Sequence, residues 1–451
     1  MRRKNRVALH TLGCKVNHYE IEAINEQLIS RGYERVDFDE LADVYIINTC
    51  TVTNNADRKS RQMIRRAINW NPEATIVVIG CYSQIADKDV AAIPGVDIVI
   101  GTEHKNKVAE LIADYQDLYQ NKASTEFVQF KPPQVKRVTD IMKVRDFEEL
   151  SLTSFSDRTR ATVKIQEGCN NFCTYCLIPW ARGLSRSRDP EAILEQARQL
   201  VSNGYKEIVL TGIHTGGFGE DLPNYNLAQL LRELSAIEGL VRIRISSIEA
   251  TQLTPEFLQV LKESAKIARH LHVPLQAGDD RILKAMKRNY DTAEFREKLA
   301  EVRAILPDIA ITTDIITGFP GETDAEYNNG YRFIEEMRFA ELHVFPYSAR
   351  SGTPAALMPD QLTNEVKHER ATALIKLSNQ LAVAYRQQFV GRTLSVIPEV
   401  SQDERLDSGE ILGHSENYIP VVFVGEKSLI GEVCSVYLEV VSANLCYGRL
   451  I

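Results

Sequence analysis

No apolar run in this chain approaches the length of a membrane span. Stretches such as Thr75–Gly80 and Val96–Gly101 last only five or six residues, against the roughly 20 a transmembrane helix needs. No secretory leader is expected either. The basic start Met1–Arg6 leads into Val7–Leu12, which is too short for a signal-peptide core, so the cytoplasm is the expected compartment. Positive charge is not in excess: 53 Lys and Arg face 61 Asp and Glu, a net charge of −8. That excludes a uniformly basic surface, and any RNA site must be local, because non-specific RNA affinity comes from cations facing phosphates. There is no internal repeat and no low-complexity tract. Eight cysteines in 451 residues, without an export signal, argue against a disulfide framework and for metal or redox chemistry.

What is present is the composition of a globular protein, 44% hydrophobic and 25% charged, with length enough for two or three cores. Up to residue 120, short apolar strands (Val7–Thr11, Val44–Asn48, Thr75–Ile79, Ile98–Ile100) alternate with helical patterns (Glu20–Ser30, Arg58–Trp70, Lys107–Tyr115). Such alternation predicts an α/β domain with a parallel sheet, here 4–120. Residues 121–156 lose the rhythm and read as a linker. From Thr162 six strand patterns follow: Thr162–Gln166, Glu207–Leu210, Arg242–Ser246, His270–Val273, Ile309–Ile316 and Glu341–Tyr347. Helices between them predict a partial (β/α)6 barrel over 157–387. After a last helix, Gln361–Gln388, the short strand patterns Leu394–Val400, Glu410–Gly413, Ile419–Val424 and Val433–Val441, separated by turns, predict a small C-terminal β-barrel over 388–451.

Gly168-Cys169-Asn170-Asn171-Phe172-Cys173-Thr174-Tyr175-Cys176 follows the first barrel strand. Three thiols at CxxxCxxC spacing can converge on one centre, and three ligands on a four-iron cluster leave one iron open. A structural zinc site wants a fourth ligand, and none is near in sequence. Cys14, Cys50 and Cys81 are scattered, yet each lies just beyond a predicted strand of the first domain. In a parallel sheet those ends share an edge, where ligands collect, so a second three-thiol site is expected there. Cys434 and Cys446 read as buried structural thiols, and His214, His270 and His272 as packing or turn residues.

The first triplet, with Tyr175 before its last cysteine, resembles the signature of the radical S-adenosylmethionine (SAM) superfamily. The likeness narrows at Thr11-Leu12-Gly13-Cys14-Lys15-Val16-Asn17, Asn48-Thr49-Cys50-Thr51-Val52-Thr53, Gly80-Cys81-Tyr82-Ser83-Gln84, His272-Val273-Pro274-Leu275-Gln276-Ala277-Gly278 and Tyr347–Thr353. These are similar to the methylthiotransferases, over essentially the whole chain, ending in what resembles an RNA-binding TRAM domain. The stretch Thr51–Gln62 resembles the branch acting on N(6)-threonylcarbamoyladenosine in tRNA. Other branches act on isopentenyladenosine or on a ribosomal-protein aspartate.

The resemblance implies two 4Fe–4S clusters, one on Cys169, Cys173 and Cys176 that binds SAM, and an auxiliary one on Cys14, Cys50 and Cys81. It implies a SAM-derived radical that abstracts hydrogen from carbon 2 of the adenine, a sulfur delivered at the auxiliary cluster, and a methyl group from a second SAM. Such an enzyme needs tRNA carrying the modified adenosine, a reductant such as flavodoxin or ferredoxin, and a sulfur donor, and no membrane. Tyr175, Gly212, Ser246, Glu249 and Phe319 are the positions the likeness places near SAM, although each also serves as an ordinary βα turn residue. The family's usual Gly-Gly-Glu is absent at Thr211-Gly212. For RNA, Arg58, Arg61 and Arg65 share one helix face, which is either a phosphate contact or a solvated surface. Arg182, Arg186 and Arg188 form a second, weaker RNA candidate. A non-catalytic iron–sulfur RNA-binding protein is the competing class.

Overall fold

The computed structural model describes residues 5–123, 131–155, 159–401 and 403–451. They form two compact units. The first comprises Met1–Leu152, Glu167–Phe172 and Cys176–Arg188; the second comprises Thr153–Gln166, Cys173–Tyr175 and Asp189–Ile451.

The first unit is built on β1 (Arg6–Thr11), β2 (Glu34–Val36), β3 (Val44–Thr49), β4 (Thr75–Gly80), β5 (Ile98–Ile100) and β6 (Val135–Arg137). All six pair in parallel, in the order β2-β1-β3-β4-β5-β6. Between strands run α1 (Lys15–Ser30), α2 (Asn54–Trp70), the short α3 (Cys81–Ile85) and α4 (Asp87–Ala91), and α5 (Val108–Ala123). Every residue of β3 and β4 is buried, as expected of central strands covered on both faces. Val7, Ile46, Val77 and Ile98 pack on one face, and Ala8, Tyr45, Ile47, Ile76 and Val78 on the other. The expected four strands are all present. The predicted linker, part of which lies outside the described residues, contributes a strand of its own: β6 completes the sheet edge against β5. The last residue of β7 (Ala161–Glu167), the helix α6 (Ile178–Arg182) and the two-residue β8 (Arg186–Ser187) also belong to this unit.

In the second unit β7 leads into β9 (Glu207–Gly212), β10 (Arg242–Ile245), β11 (His270–His272), β12 (Ala310–Thr317) and β13 (Glu341–Pro346), matching the six expected strands to within about two residues. β7 pairs with β9 and β9 with β10; β11, β12 and β13 form a second ladder. All pairings are parallel, and a bridge from Ser247 to His272 joins the two ladders. Helices α7 (Pro190–Ser202), α8 (Leu227–Ser235), α9 (Pro255–Glu263), α10 (Asp280–Ala285), α11 (Thr292–Ile305) and α12 (Asp324–Met337) intervene. Several begin on a side chain that accepts a backbone N–H: Asp189, Asn226, Thr254, Asp291 and Thr323, a preference that follows from the orphan donors of a first turn.

After α13 (Asn364–Gln387), the strands β14 (Thr393–Pro398), β15 (Glu410–Ser415), β16 (Pro420–Val424), β17 (Cys434–Val440) and β18 (Cys446–Leu450) close a five-stranded barrel in the order β14-β15-β16-β18-β17. Cys434 and Cys446 are buried in its core.

This barrel covers the starting ends of the parallel strands. Buried Glu207 accepts from Arg244 at 2.8 Å and from Arg242 at 3.1 Å. Arg242 and Arg244 also donate to the carbonyls of Ser395 and Ser415. Arg160 pairs with Glu399 at 2.9 Å, and the ring of Tyr418 lies 4.6 Å from the Arg244 guanidinium. Burial pushes the Glu207 carboxyl up, but Arg244 and its neighbours outweigh that and hold it down at about 2.

Candidate active site

The scattered cysteines are brought to one edge. β1, β3 and β4 are neighbours running the same way, so Cys14, Cys50 and Cys81, each placed just past a strand end, come together. Two glycines make the turns possible. Gly13 has φ +98°, and a Cβ there would lie 2.8 Å from the Cys50 sulfur; Gly80 has φ +101°, and a Cβ there would lie 2.7 Å from the Thr49 carbonyl. Only glycine adopts such a backbone freely. Asn17 ties the strand ends, donating to Leu12 at 2.7 Å and Thr49 at 3.0 Å. The Ser60 hydroxyl of α2 donates to the Cys50 carbonyl at 3.2 Å.

Electrostatics report the same proximity. Burial, then the charge of Cys81 and more weakly of Cys14, pushes the Cys50 thiol up to about 12. Cys81 is also pushed up by burial, with Arg182 opposing. None of the three is in a disulfide. Without a cation Cys50 and Cys81 stay protonated; a metal centre displaces the protons. Among the described residues the one three-ligand group with all ligand atoms within 4.8 Å lies elsewhere, at His272, Asp314 and His343. The thiols are thus spread too widely for one ion. Thiolates bound to three different irons of a cluster stand further apart than three ligands of one ion, so the donor set fits a 4Fe–4S cluster.

Behind the thiols lies Arg182, fully buried. Its Nε donates to the Cys81 sulfur at 3.1 Å, and Nη1 donates to Glu20 at 2.7 Å and to Glu167 at 3.1 Å. Its other terminal nitrogen meets Asn17. Lys105, also fully buried, pairs with Glu20 at 2.7 Å. Two cations thus face two carboxylates, which is what makes buried charge tolerable. The expectation that Arg182, Arg186 and Arg188 touch RNA is overturned. They are 0%, 5% and 3% exposed, and Arg188 is paired with Glu149 at 2.9 Å. Sequence reasoning had no signal for a buried arginine there.

The contiguous triplet directly follows β7. Cys173 is buried, while Cys169 and Cys176 are half-buried. Arg288 Nη1 donates to the Cys173 sulfur at 3.2 Å, Nε to the Tyr290 hydroxyl at 3.1 Å, and the guanidinium pairs with Glu249. Burial disfavours the Arg288 charge, but Glu249 outweighs it and the pKa rises. Glu249 therefore faces Arg288, a partner the sequence did not suggest. Gly212 ends β9, where a Cβ would lie 2.9 Å from the Gln166 side-chain oxygen. Ser246 follows β10, with its N–H donating to Leu210. Tyr175 is half-buried and contributes to the field at Arg288. Phe319 is fully buried, edge-on to Tyr347 at 5.6 Å.

On α2, Arg58, Arg61 and Arg65 line one open surface groove with Gln62, Arg66, Asn69 and Trp70. Arg61 donates to the Tyr82 hydroxyl at 2.9 Å, next to Cys81. Arg66 is ion-paired with Asp39. Trp70, 44% exposed, is a flat apolar face that periodicity alone did not single out.

A family model described as "Radical SAM superfamily" matches residues 163–334, and one described as "Uncharacterized protein family UPF0004" matches residues 6–101. The chain is 53% identical over 98% of its length, and 95% of the relative, to the Bacillus subtilis (strain 168) protein named threonylcarbamoyladenosine tRNA methylthiotransferase MtaB. It is 35% identical over 94% of its length, and 93% of the relative, to the tRNA-2-methylthio-N(6)-dimethylallyladenosine synthase of Pelotomaculum thermopropionicum. Among solved structures it resembles the radical SAM methyltransferase TsrM of Kitasatospora setae, with cobalamin and a 4Fe–4S cluster bound. The TM-score is 0.53 at 14% identity, covering 91% of this chain and 81% of that one, a likeness of fold. Fold and site thus define a radical SAM iron–sulfur protein. Within that class, the chain belongs to the tRNA methylthiotransferase family. No described helix is long and apolar enough to cross a membrane.

Proposed function

We propose that this chain converts N(6)-threonylcarbamoyladenosine beside the anticodon of tRNA to its 2-methylthio derivative. The observation that carries the substrate choice is the 53% identity to a protein named for that nucleoside, against 35% to one named for the dimethylallyl nucleoside. Cys169, Cys173 and Cys176 hold the cluster that binds SAM, and Cys14, Cys50 and Cys81 hold the auxiliary one. When bound, these groups supply the radical and sulfur chemistry that an inert ring carbon requires. The chain's own residues position and insulate. Arg182 and Arg288 each donate a hydrogen bond to one ligand sulfur, which stabilises negative charge on the centre. Tyr175, Gly212, Ser246, Glu249 and Phe319 are the surroundings of SAM, with Glu249 acting through Arg288.

The domains are 4–120 (methylthiotransferase), whose sheet also takes β6 from the 121–156 connection, 157–387 (radical SAM core) and 388–451 (TRAM). RNA is held by the C-terminal barrel and by Arg58, Arg61 and Arg65 on α2, whose cations meet phosphates. The reaction runs in the cytoplasm and draws electrons from a flavodoxin or ferredoxin and sulfur from a separate donor. The test is deletion of the gene followed by mass spectrometry of tRNA nucleosides. Loss of 2-methylthio-N(6)-threonylcarbamoyladenosine, restored by the gene, is the expected result. Loss of the 2-methylthio isopentenyl nucleoside instead would reassign the substrate.

A further inference from the structure

Three neighbouring strands of the second unit converge on one point, near Glu249, whose carboxyl feels the charges of His272 and Asp314. His272 ends β11, Asp314 lies within β12 and His343 within β13. The register pairs His272 with Thr312 and Asp314 with His343, and the alternation of a strand puts Thr312 and Asp314 on one face. One ligand atom from each of the three residues lies within 4.8 Å of the other two. His272 Nε2 and His343 Nδ1 are each 3.3 Å from the same Asp314 oxygen, Oδ1. The other ring nitrogen of His272 lies 2.9 Å from the Thr312 hydroxyl. That contact fixes the ring and lets Nε2 carry the lone pair, as an outer-shell partner of a metal-binding histidine does.

The distances separate two readings. A charge-assisted hydrogen bond between imidazole and carboxylate runs at about 2.7–2.9 Å, so 3.3 Å to both rings is long for a trio held by protons. Zinc bonds of about 2.0–2.2 Å to nitrogen and oxygen, at the tetrahedral angle, put neighbouring ligand atoms about 3.3–3.5 Å apart. Both imidazole–carboxylate separations match a tetrahedron's edge, and the two imidazoles stack with centroids 5.2 Å apart. The donor set, two imidazoles and one carboxylate, suits a borderline-soft divalent cation, and it is carried on strands, which hold a site more firmly than loops do.

We propose that His272, Asp314 and His343 form a binding site for a divalent transition cation, zinc being the one their two-imidazole, one-carboxylate donor set takes at a tetrahedral centre, with a fourth position open to water or another oxygen ligand. The site is distinct from both cysteine triplets in ligand chemistry, and its occupation does not depend on which nucleoside is modified.

The experiment uses the anaerobically purified full chain with its clusters fully loaded, dialysed first against micromolar zinc and then against metal-free buffer. Expected are about one zinc per chain by elemental analysis and, by zinc-edge X-ray absorption, only nitrogen and oxygen neighbours at about 2.0–2.2 Å. His343, 50% exposed, tolerates truncation, so His343→Ala is the first variant and Asp314→Asn the second. Each should lose zinc at least about tenfold at unchanged iron content and cluster absorbance, as expected when one of three metal ligands is removed. Absence of zinc from the wild-type chain, sulfur neighbours at about 2.3 Å, or full retention of zinc by His343→Ala would each overturn the assignment.

Discussion

The two cysteine triplets pose the same electrostatic problem from opposite starting points. Cys169, Cys173 and Cys176 come from one short loop, whereas Cys14, Cys50 and Cys81 come from three strand ends separated by whole βα units. Yet each set has one buried arginine aimed at a buried member: Arg182 at Cys81, 3.1 Å away, and Arg288 at Cys173, 3.2 Å away. Each arginine is itself neutralised, Arg182 by Glu20 and Glu167, Arg288 by Glu249. Thiolates removed from water need donors and nearby positive charge. The comparison teaches that ligand spacing is free to vary, while this counter-charge is supplied in both places.

The comparison breaks most visibly at the ligands. Cys50→Ala should remove about four of about eight irons and abolish methylthiolation, yet leave reductive cleavage of SAM, read as 5′-deoxyadenosine by chromatography. Cys173→Ala should abolish both activities. If Cys50→Ala also stopped SAM cleavage with the other cluster intact by electron paramagnetic resonance, the sites would not be separable.

The arginines come next. Arg182→Gln leaves Glu20 and Glu167 buried with only Lys105 to offset them, and breaking such a network costs about 3–5 kcal/mol, visible as a lowered Tm. Arg288→Gln should cost less, since Arg288 pairs with one carboxylate whereas Arg182 pairs with two. Both variants should shift the midpoint potential of the neighbouring cluster to more negative values, because a donor to sulfur has been lost. A Tm that falls further for Arg288→Gln than for Arg182→Gln would contradict the ranking.

The smallest expected effect concerns RNA. Arg65→Ala should weaken tRNA binding severalfold and reduce the slope of log affinity against log salt by about one. Arg66→Ala, whose guanidinium is already paired with Asp39, should change that slope less. Equal slopes for the two variants and the wild-type chain would remove α2 from the RNA surface.

Much of this was legible in the residues. The parallel sheet around β1, β3 and β4 was readable from three apolar runs with helical periods between them, and the meeting of Cys14, Cys50 and Cys81 followed from topology rather than spacing. The six strands β7 and β9–β13 were readable for the same reason. Short elements were not: β2 has three residues, of which two are charged, and β6 reads Val135-Lys136-Arg137, with no period to detect. β18 escaped because Cys446-Tyr447-Gly448-Arg449-Leu450 carries a glycine and an arginine where apolar residues were sought. The buried arginines were the hardest case. In a one-dimensional string Arg182, Arg186 and Arg188 look like a basic surface, and only the fold reveals that the carboxylates answering Arg182, Glu20 and Glu167, lie 162 and 15 residues away.

The fit of the C-terminal barrel against Glu207, Arg160, Arg242 and Arg244 bears on how this protein can be cut and recombined. The terminal module serves as a stopper. Detaching it would flood a dry knot of ions at the floor of the enzyme, so chimeras with foreign tails must bring their own plug.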